Sequence, residues 1–170
     1  TISDSDDAGI GLGDDTALGM DITGAEIQNI TAGTVEFATA GGVNVDNITA
    51  TNSNNIGTVL IDATGAVEFK TAASLFNALT VESDQDVDIN VAITTDTGAL
   101  TIDADDDNGG DSGGDRIDMA AGLTLTSATS ITLDATTGGI VFAGAGTLDA
   151  ANGVTINDDL TVNGSTLTID

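Results

Sequence analysis

Apolar and polar positions alternate along this chain in short bursts, each ended by a polar or glycine-bearing turn. Val35-Glu36-Phe37, Val43-Asn44-Val45, Val59-Leu60-Ile61 and Val67-Glu68-Phe69 set the pattern. It continues through Leu79-Thr80-Val81, Val87-Asp88-Ile89, Leu100-Thr101-Ile102, Ile117-Asp118-Met119, Leu123-Thr124-Leu125 and Ile131-Thr132-Leu133. Ile140-Val141-Phe142, Val154-Thr155-Ile156, Leu160-Thr161-Val162 and Leu167-Thr168-Ile169 complete it. A period of two places alternate side chains on opposite faces of a strand. The turns follow so closely that each strand spans only about three to five residues.

Strands of a β-sandwich run about five or six residues and recur about every eight to twelve. Those predicted here are shorter and closer together. "LIDATGAVEF" (60–69) resembles "TLDATTGGIVF" (132–142), and "TVEFATA" (34–40) resembles "AVEFKTA" (66–72). Internal similarity of this kind points to stacked units, each burying its neighbour's apolar edge. The predicted fold is all-β, a parallel β-solenoid of about seven coils of roughly 20 to 25 residues. At the strand spacing of about 4.8 Å, it is a rod about 34 Å long. A β-sandwich fibre subunit is the alternative. Residues 1–170 form one domain, with 1–30 its least regular part, an atypical cap or an inter-subunit segment. "GAEIQNI" (24–30) and "AASLFNAL" (72–79) are the stretches with helical character.

Composition narrows the picture. The 170 residues include no Trp, Tyr, His, Cys or Pro, and all four aromatic residues are Phe. The core must be built of Ala, Val, Ile and Leu, which suits a narrow solenoid. Acidic residues number 28 against Lys70 and Arg116, giving a net charge of −26. Such a surface cannot replace the counterions of nucleic acid or approach an anionic membrane. No apolar run is long enough to span a bilayer as a helix. Lys70, next to Phe69, is expected to project outward as an isolated charge. Arg116 is expected to pair with Asp115 or Asp118.

The densest acidic stretch is "DADDDNGGDSGGD" (103–115). Asp103, Asp105 and Asp107 alternate, Gly109 and Gly110 permit a sharp bend, and Asp111 and Asp115 stand ready to close a shell. Calcium accepts six to eight hard oxygen ligands and tolerates irregular loops. An EF-hand loop would have Gly where Asn108 stands, and Glu at its last position. The stretch is therefore either a calcium site or a solvated insertion between coils. Asp4, Asp6, Asp7, Asp14 and Asp15 form a second candidate. Asp84, Asp86 and Asp88 read as an acidic outer face. Asn29, Asn47 and Asn163 head Asn-x-Ser/Thr sequons, which carry sugar only on exported proteins.

"TISDSDDAGIGLGDD", "AEIQNITAGTVEF" and "LTLTSATSITLDATTGGIVFAGAGTLDA" resemble the repeats of large secreted bacterial exoproteins of the filamentous-haemagglutinin-like and autotransporter-like families. The resemblance extends over almost the whole chain and rests on apolar-x-apolar strands with Gly, Asn and Asp turns. It implies a right-handed parallel β-helix on a cell surface or in a matrix, and it carries no catalytic residues.

Enzymatic activity is not expected. Carboxylate pairs are plentiful, but there is no His or Cys for a nucleophile system and no Tyr or Trp for a sugar platform. The expected role is structural: an extracellular fibre, surface layer or biofilm matrix protein, stabilised by calcium and polymerising head to tail. Thr1 to Asp7 is the segment expected to reach a neighbour. An adhesin module that binds surface glycans, or a segment of a larger secreted adhesin, is the alternative.

Overall fold

The computed structural model describes residues 1–15, 17–110 and 114–170. Its strands form three sheets, and from β6 onward the chain visits them in rotation.

The first sheet contains β1 (Ile2–Ser3), β4 (Ala32–Thr39), β6 (Ile56–Ala63), β9 (Leu79–Ser83), β12 (Leu100–Asp103), β15 (Ile131–Asp134) and β18 (Val154–Ile156), in that order. The second runs from β3 (Met20–Thr23) through β2 (Ile10–Gly13), β5 (Val43–Asp46), β7 (Val67–Phe69), β10 (Val87–Ile89), β13 (Ile117–Met119) and β16 (Ile140–Phe142) to β19 (Leu160–Val162). The third holds β8 (Ser74–Phe76), β11 (Ile93–Thr95), β14 (Leu123–Ser127), β17 (Gly146–Ala150) and β20 (Leu167–Ile169).

All described pairings are parallel. Val35, Val59, Leu79, Leu100, Ile131 and Val154 stack in register. The path therefore returns to one position after 24, 20, 21, 31 and 23 residues. The antiparallel hairpins of a sandwich are absent among the described residues. The 31-residue interval is the one that contains the acidic loop.

Register explains the core. In most three-residue strands the outer two side chains are buried and the middle one is not. Identical positions of successive strands then stack as ladders: Val87 lies between Val67 and Ile117, and Ile89 between Phe69 and Met119. The four phenylalanines, Phe37, Phe69, Phe76 and Phe142, are all among the buried side chains. The core is apolar along the sheets and carries a few hydroxyls. Thr95 and Ser127, stacked in the third sheet, both donate to the Gly98 carbonyl, at 2.8 and 3.0 Å.

Three details depart from the sequence reading. β4 and β6 each run eight residues, longer than the predicted strands. Residues 74–76 are a strand, not a helix: Ser74 and Phe76 face inward and pair with Ile93 and Thr95. One helical turn does lie in 24–30, as α1 (Gly24–Ile27), and a second, α2 (Ala50–Ser53), was not anticipated. α1 begins with a reciprocal cap, and α2 with a one-sided one in which Asn52 Oδ1 accepts the Thr49 N–H. Thr23 and Glu26 bracket α1, and Thr49 and Asn52 bracket α2, satisfying amide groups that a helix start leaves unpaired. The two turns pack on each other, and Asn52 stands where a side chain on Gly24 would have to go.

The first residues are tied into the chain's own sheet. Ile2 and Ser3 pair with Phe37 and Ala38, and β1 is the edge strand of its sheet. At the opposite end β18, β19 and β20 are last in their sheets. Leu160 and Ile169 there are 39% and 56% exposed.

Candidate functional site

The acidic loop leaves the first sheet at the end of β12. Asp103 is the outward residue of that exit and is half-buried. Directly above and below it in register stand Glu82 and Asp134, and Asp62 pairs with Glu82 in turn. Four carboxylates are thus stacked on one wall at the spacing of parallel strands, about 4.8 Å. Asn157 follows β18 and donates its side-chain amide to Asp134 at 3.0 Å.

The regular ladder breaks just after Asp103. One strand earlier, the Asp84 N–H donates to the Ala63 carbonyl. Here the Ser83 carbonyl accepts instead from Asp106, and the Asp105 N–H turns back to Asp103 Oδ1 at 3.2 Å. That displacement puts Asp105 inside. It is 0% exposed, and both its carboxylate oxygens are buried without a hydrogen-bond partner. A turn closed by the Asn108 N–H on the Asp105 carbonyl follows. Asn108 has φ +53°, a left-handed conformation that Asn adopts more readily than most residues, so it serves where an EF-hand would use Gly.

The predicted ring of ligands is not assembled by the described residues. Asp107 is exposed and accepts from the Gly109 N–H at 2.8 Å. Asp115 is buried, has φ +52°, and accepts from Thr137 Oγ1 at 3.3 Å. Asp111 lies outside the described residues. Among the described residues no three carboxylates converge as a metal-holding group.

The second candidate is engaged otherwise. Asp4 accepts the Gly9 N–H at 2.7 Å and the Asp7 N–H at 3.2 Å, and so shapes its own turn. Asp6 and Asp7 are exposed. Asp14 accepts from Asn47 at 2.7 Å. Asp15 lies over Gly11 and accepts from the Ala17 N–H and the Asn44 amide. It also forms an ion pair with Lys70 at 3.2 Å, while Glu68 lies 3.8 Å from the same ammonium. Lys70 is therefore not isolated, and sequence reading missed this pairing because 55 residues separate the partners. Arg116 pairs with Asp118, its Nε at 2.8 Å.

Electrostatics follow from this crowding. Burial, then Asp106, Asp62, Asp103 and Glu36, push the Glu82 carboxyl above its usual range. Burial and Asp107 and Asp106 do the same to Asp84. Burial and Asp134, Asp106 and Asp105 raise Asp103, partly opposed by the Asp105 N–H. Asp88, in the second sheet, is raised by burial and by Asp118, Asp86 and Glu68. Burial would raise Asp15 too, but the Ala17 N–H, Lys70 and Asn44 outweigh it and hold that carboxyl low.

Of the sequons, Asn29 and Asn163 are exposed and Asn47 is half-buried. Asn29 donates its amide to the Ala25 carbonyl at 2.7 Å. An open groove of about 420 Å³ on the second sheet is lined by Ala120, Val141 and Ala143 together with Asp88, Asp118, Asn90 and Asn163.

No family model, curated protein or solved structure matches the chain. The geometry therefore carries the functional argument. The carboxylate wall was legible in outline: "LTVE" (79–82), "LTID" (100–103), "ITLD" (131–134) and "VTIN" (154–157) share a fourth, polar position. Reading triplets alone overlooked it. Asp105 had no such signal, because its burial depends on a local break in the ladder.

Proposed function

We propose that this chain is a structural protein of the cell exterior, a right-handed parallel β-helix of about seven coils. In this reading it forms or belongs to a fibre, surface layer or biofilm matrix, assembles head to tail, and is stabilised by calcium. The observation that carries the proposal is the register of three parallel sheets, in which every rung presents the same backbone edge to the next. β18, β19 and β20 form the last rung described, and Leu160 and Ile169 on it are exposed. An open strand edge is a template for another strand. The side walls carry stacked carboxylates, so repulsion is strongest side to side and weakest end to end. A heterologous end-to-end contact of this kind need not close and yields filaments. The reading assigns no catalysis, since the chain offers no His, Cys, Tyr or Trp.

Static light scattering and electron microscopy across a calcium series test it. The native chain should give thin unbranched filaments, and Leu160→Asp with Ile169→Asp should abolish them. A native chain that stays monomeric at every concentration and calcium level, or a double variant that polymerises equally well, overturns the proposal.

A second reading, an adhesin module, is favoured by the groove at Ala120 and Val141. Its lining of small apolar side chains with Asp and Asn suits a neutral, hydroxyl-rich ligand such as a surface glycan, and the net negative charge disfavours an anionic one.

A further inference from the structure

We propose that the exit of β12 is a calcium site whose central ligand is Asp105, with Asp103 as its second carboxylate and the Glu82 and Asp134 carboxylates beside it. This deepens the calcium part of the reading above and replaces the ligand ring suggested by the loop sequence.

A carboxylate with both oxygens out of water and without a donor is among the costliest groups to bury, unless a cation faces it. Asp105 is in that position. No basic side chain is available to neutralise it. The chain has two, and Lys70 is held by Asp15 and Glu68 while Arg116 is held by Asp118. Asp103, two residues earlier, is oriented locally: its Oδ1 accepts the Asp105 N–H. Asp103 is in turn stacked between Glu82 and Asp134. Like charges directly opposite each other on neighbouring strands are destabilising, so the wall repels itself where it meets the buried carboxylate. One divalent cation relieves both costs.

Asp107 and Asp115 are drawn elsewhere. Asp107 is occupied by the Gly109 amide and Asp115 accepts from Thr137. Two carboxylates leave the rest of the shell to main-chain carbonyls and water. Calcium accepts such irregular oxygen sets, whereas magnesium demands near-ideal octahedral geometry. So few charged ligands place the affinity in the weak class, with a Kd of about 10⁻⁴ to 10⁻³ M.

The experiment is thermal melting of the monomeric full chain, at matched ionic strength, with calcium chloride, magnesium chloride or sodium chloride, supported by equilibrium dialysis with calcium. The native chain should bind calcium and melt higher in calcium than in either other salt. Asp105→Asn should lose most of that calcium-specific shift, and its melting point without calcium should equal or exceed that of the native chain. Asp107→Asn should keep the shift. Asp103→Asn provides a second test with a half-exposed residue, and should weaken calcium binding by at least several-fold. A native chain that calcium stabilises no more than sodium at equal ionic strength overturns the proposal, as does an Asp105→Asn variant with the full shift. Because monomer melting is the readout, failure of filament growth is scored separately and bears only on the assembly reading.

Discussion

Lys70 Nζ lies 3.2 Å from Asp15 Oδ2, joining the turn after β2 to the end of β7 across β5, whose Asn44 also donates to Asp15. One of only two basic side chains in the protein thus bridges strands that are not adjacent. Lys70→Met and Asp15→Asn should each lower the melting temperature modestly, and the double variant should lose less than the sum. Additive losses in a double-mutant cycle would show that the two groups do not interact. The pair also has a pH signature. Asp15 is held below its unfolded value of 3.8, so its contribution is present above that value and is lost as pH falls through the lower folded value. Lys70 is raised above 10.5, chiefly by Asp15, so its contribution is lost only as pH rises beyond that point.

The crowded carboxylates act in the opposite direction. Glu82, Asp84 and Asp88 hold their protons more tightly in the folded state than at the unfolded values of 4.5, 3.8 and 3.8. The folded chain therefore binds more protons than the unfolded one in the window just above those values, and stability rises as pH falls through it. In chelator, the melting temperature should climb from pH 7 toward about pH 5, then fall once Asp15 protonates. A melting temperature that declines steadily from pH 7 downward would contradict this.

Ionic strength should act broadly. With a net charge of −26, self-repulsion opposes the compact state, and about 1 M salt shortens the screening length to about 3 Å. Melting should move upward between low salt and 1 M sodium chloride, most of the gain coming below about 0.2 M. An unchanged melting point would mean that the wall carboxylates are neutralised by some other route.

Glycine positions give a local test of the stacked geometry. Gly13 has φ +84°, and a Cβ there would stand 1.9 Å from the Asp46 carbonyl oxygen of the next strand. Gly33 has nothing within 4 Å of such an atom. Gly13→Ala should cost roughly 2 kcal/mol or more in denaturant unfolding. Gly33→Ala should lie within about 0.5 kcal/mol of the native chain. Comparable losses would show that β2 and β5 are not packed as described.

Core depth can be checked at Ile102, fully buried between Val81 and Leu133. Ile102→Ala should cost about 2 to 5 kcal/mol, the range for a cavity that its surroundings cannot refill. The equivalent change at Ile169, more than half exposed, should cost far less in the monomer.

The alternation of apolar and polar residues by itself marked fourteen of the twenty described strands and, in most of them, which positions face inward; it missed β1, β2, β3, β8, β11 and β17. A period of two leaves one face for the core, and short spacing between turns leaves no room for hairpins of ordinary length. Thus Val87, Ile89, Ile117 and Met119 could be named as core residues from the sequence. The same rule failed at 72–79, where a small-residue run looked helical, because Ser74 gains its place only by stacking under Ile93. It also missed α2, although the Thr49 and Asn52 cap was present in the letters.

What the letters could not specify was vertical register, since pairing partners lie 10 to 35 residues away. Only register decides that Asp62, Glu82, Asp103 and Asp134 share a column, and that Lys70 finds Asp15. The acidic loop shows the division most plainly. Its sequence announced a concentration of carboxylates. Tertiary structure decided that Asp107 faces water and caps its own turn, while Asp105, two residues earlier, is folded inside where a charge cannot stay alone. The physical reason is that composition fixes how much charge must be accommodated, whereas burial and backbone hydrogen bonding, both set by the neighbouring strands, fix where its cost falls.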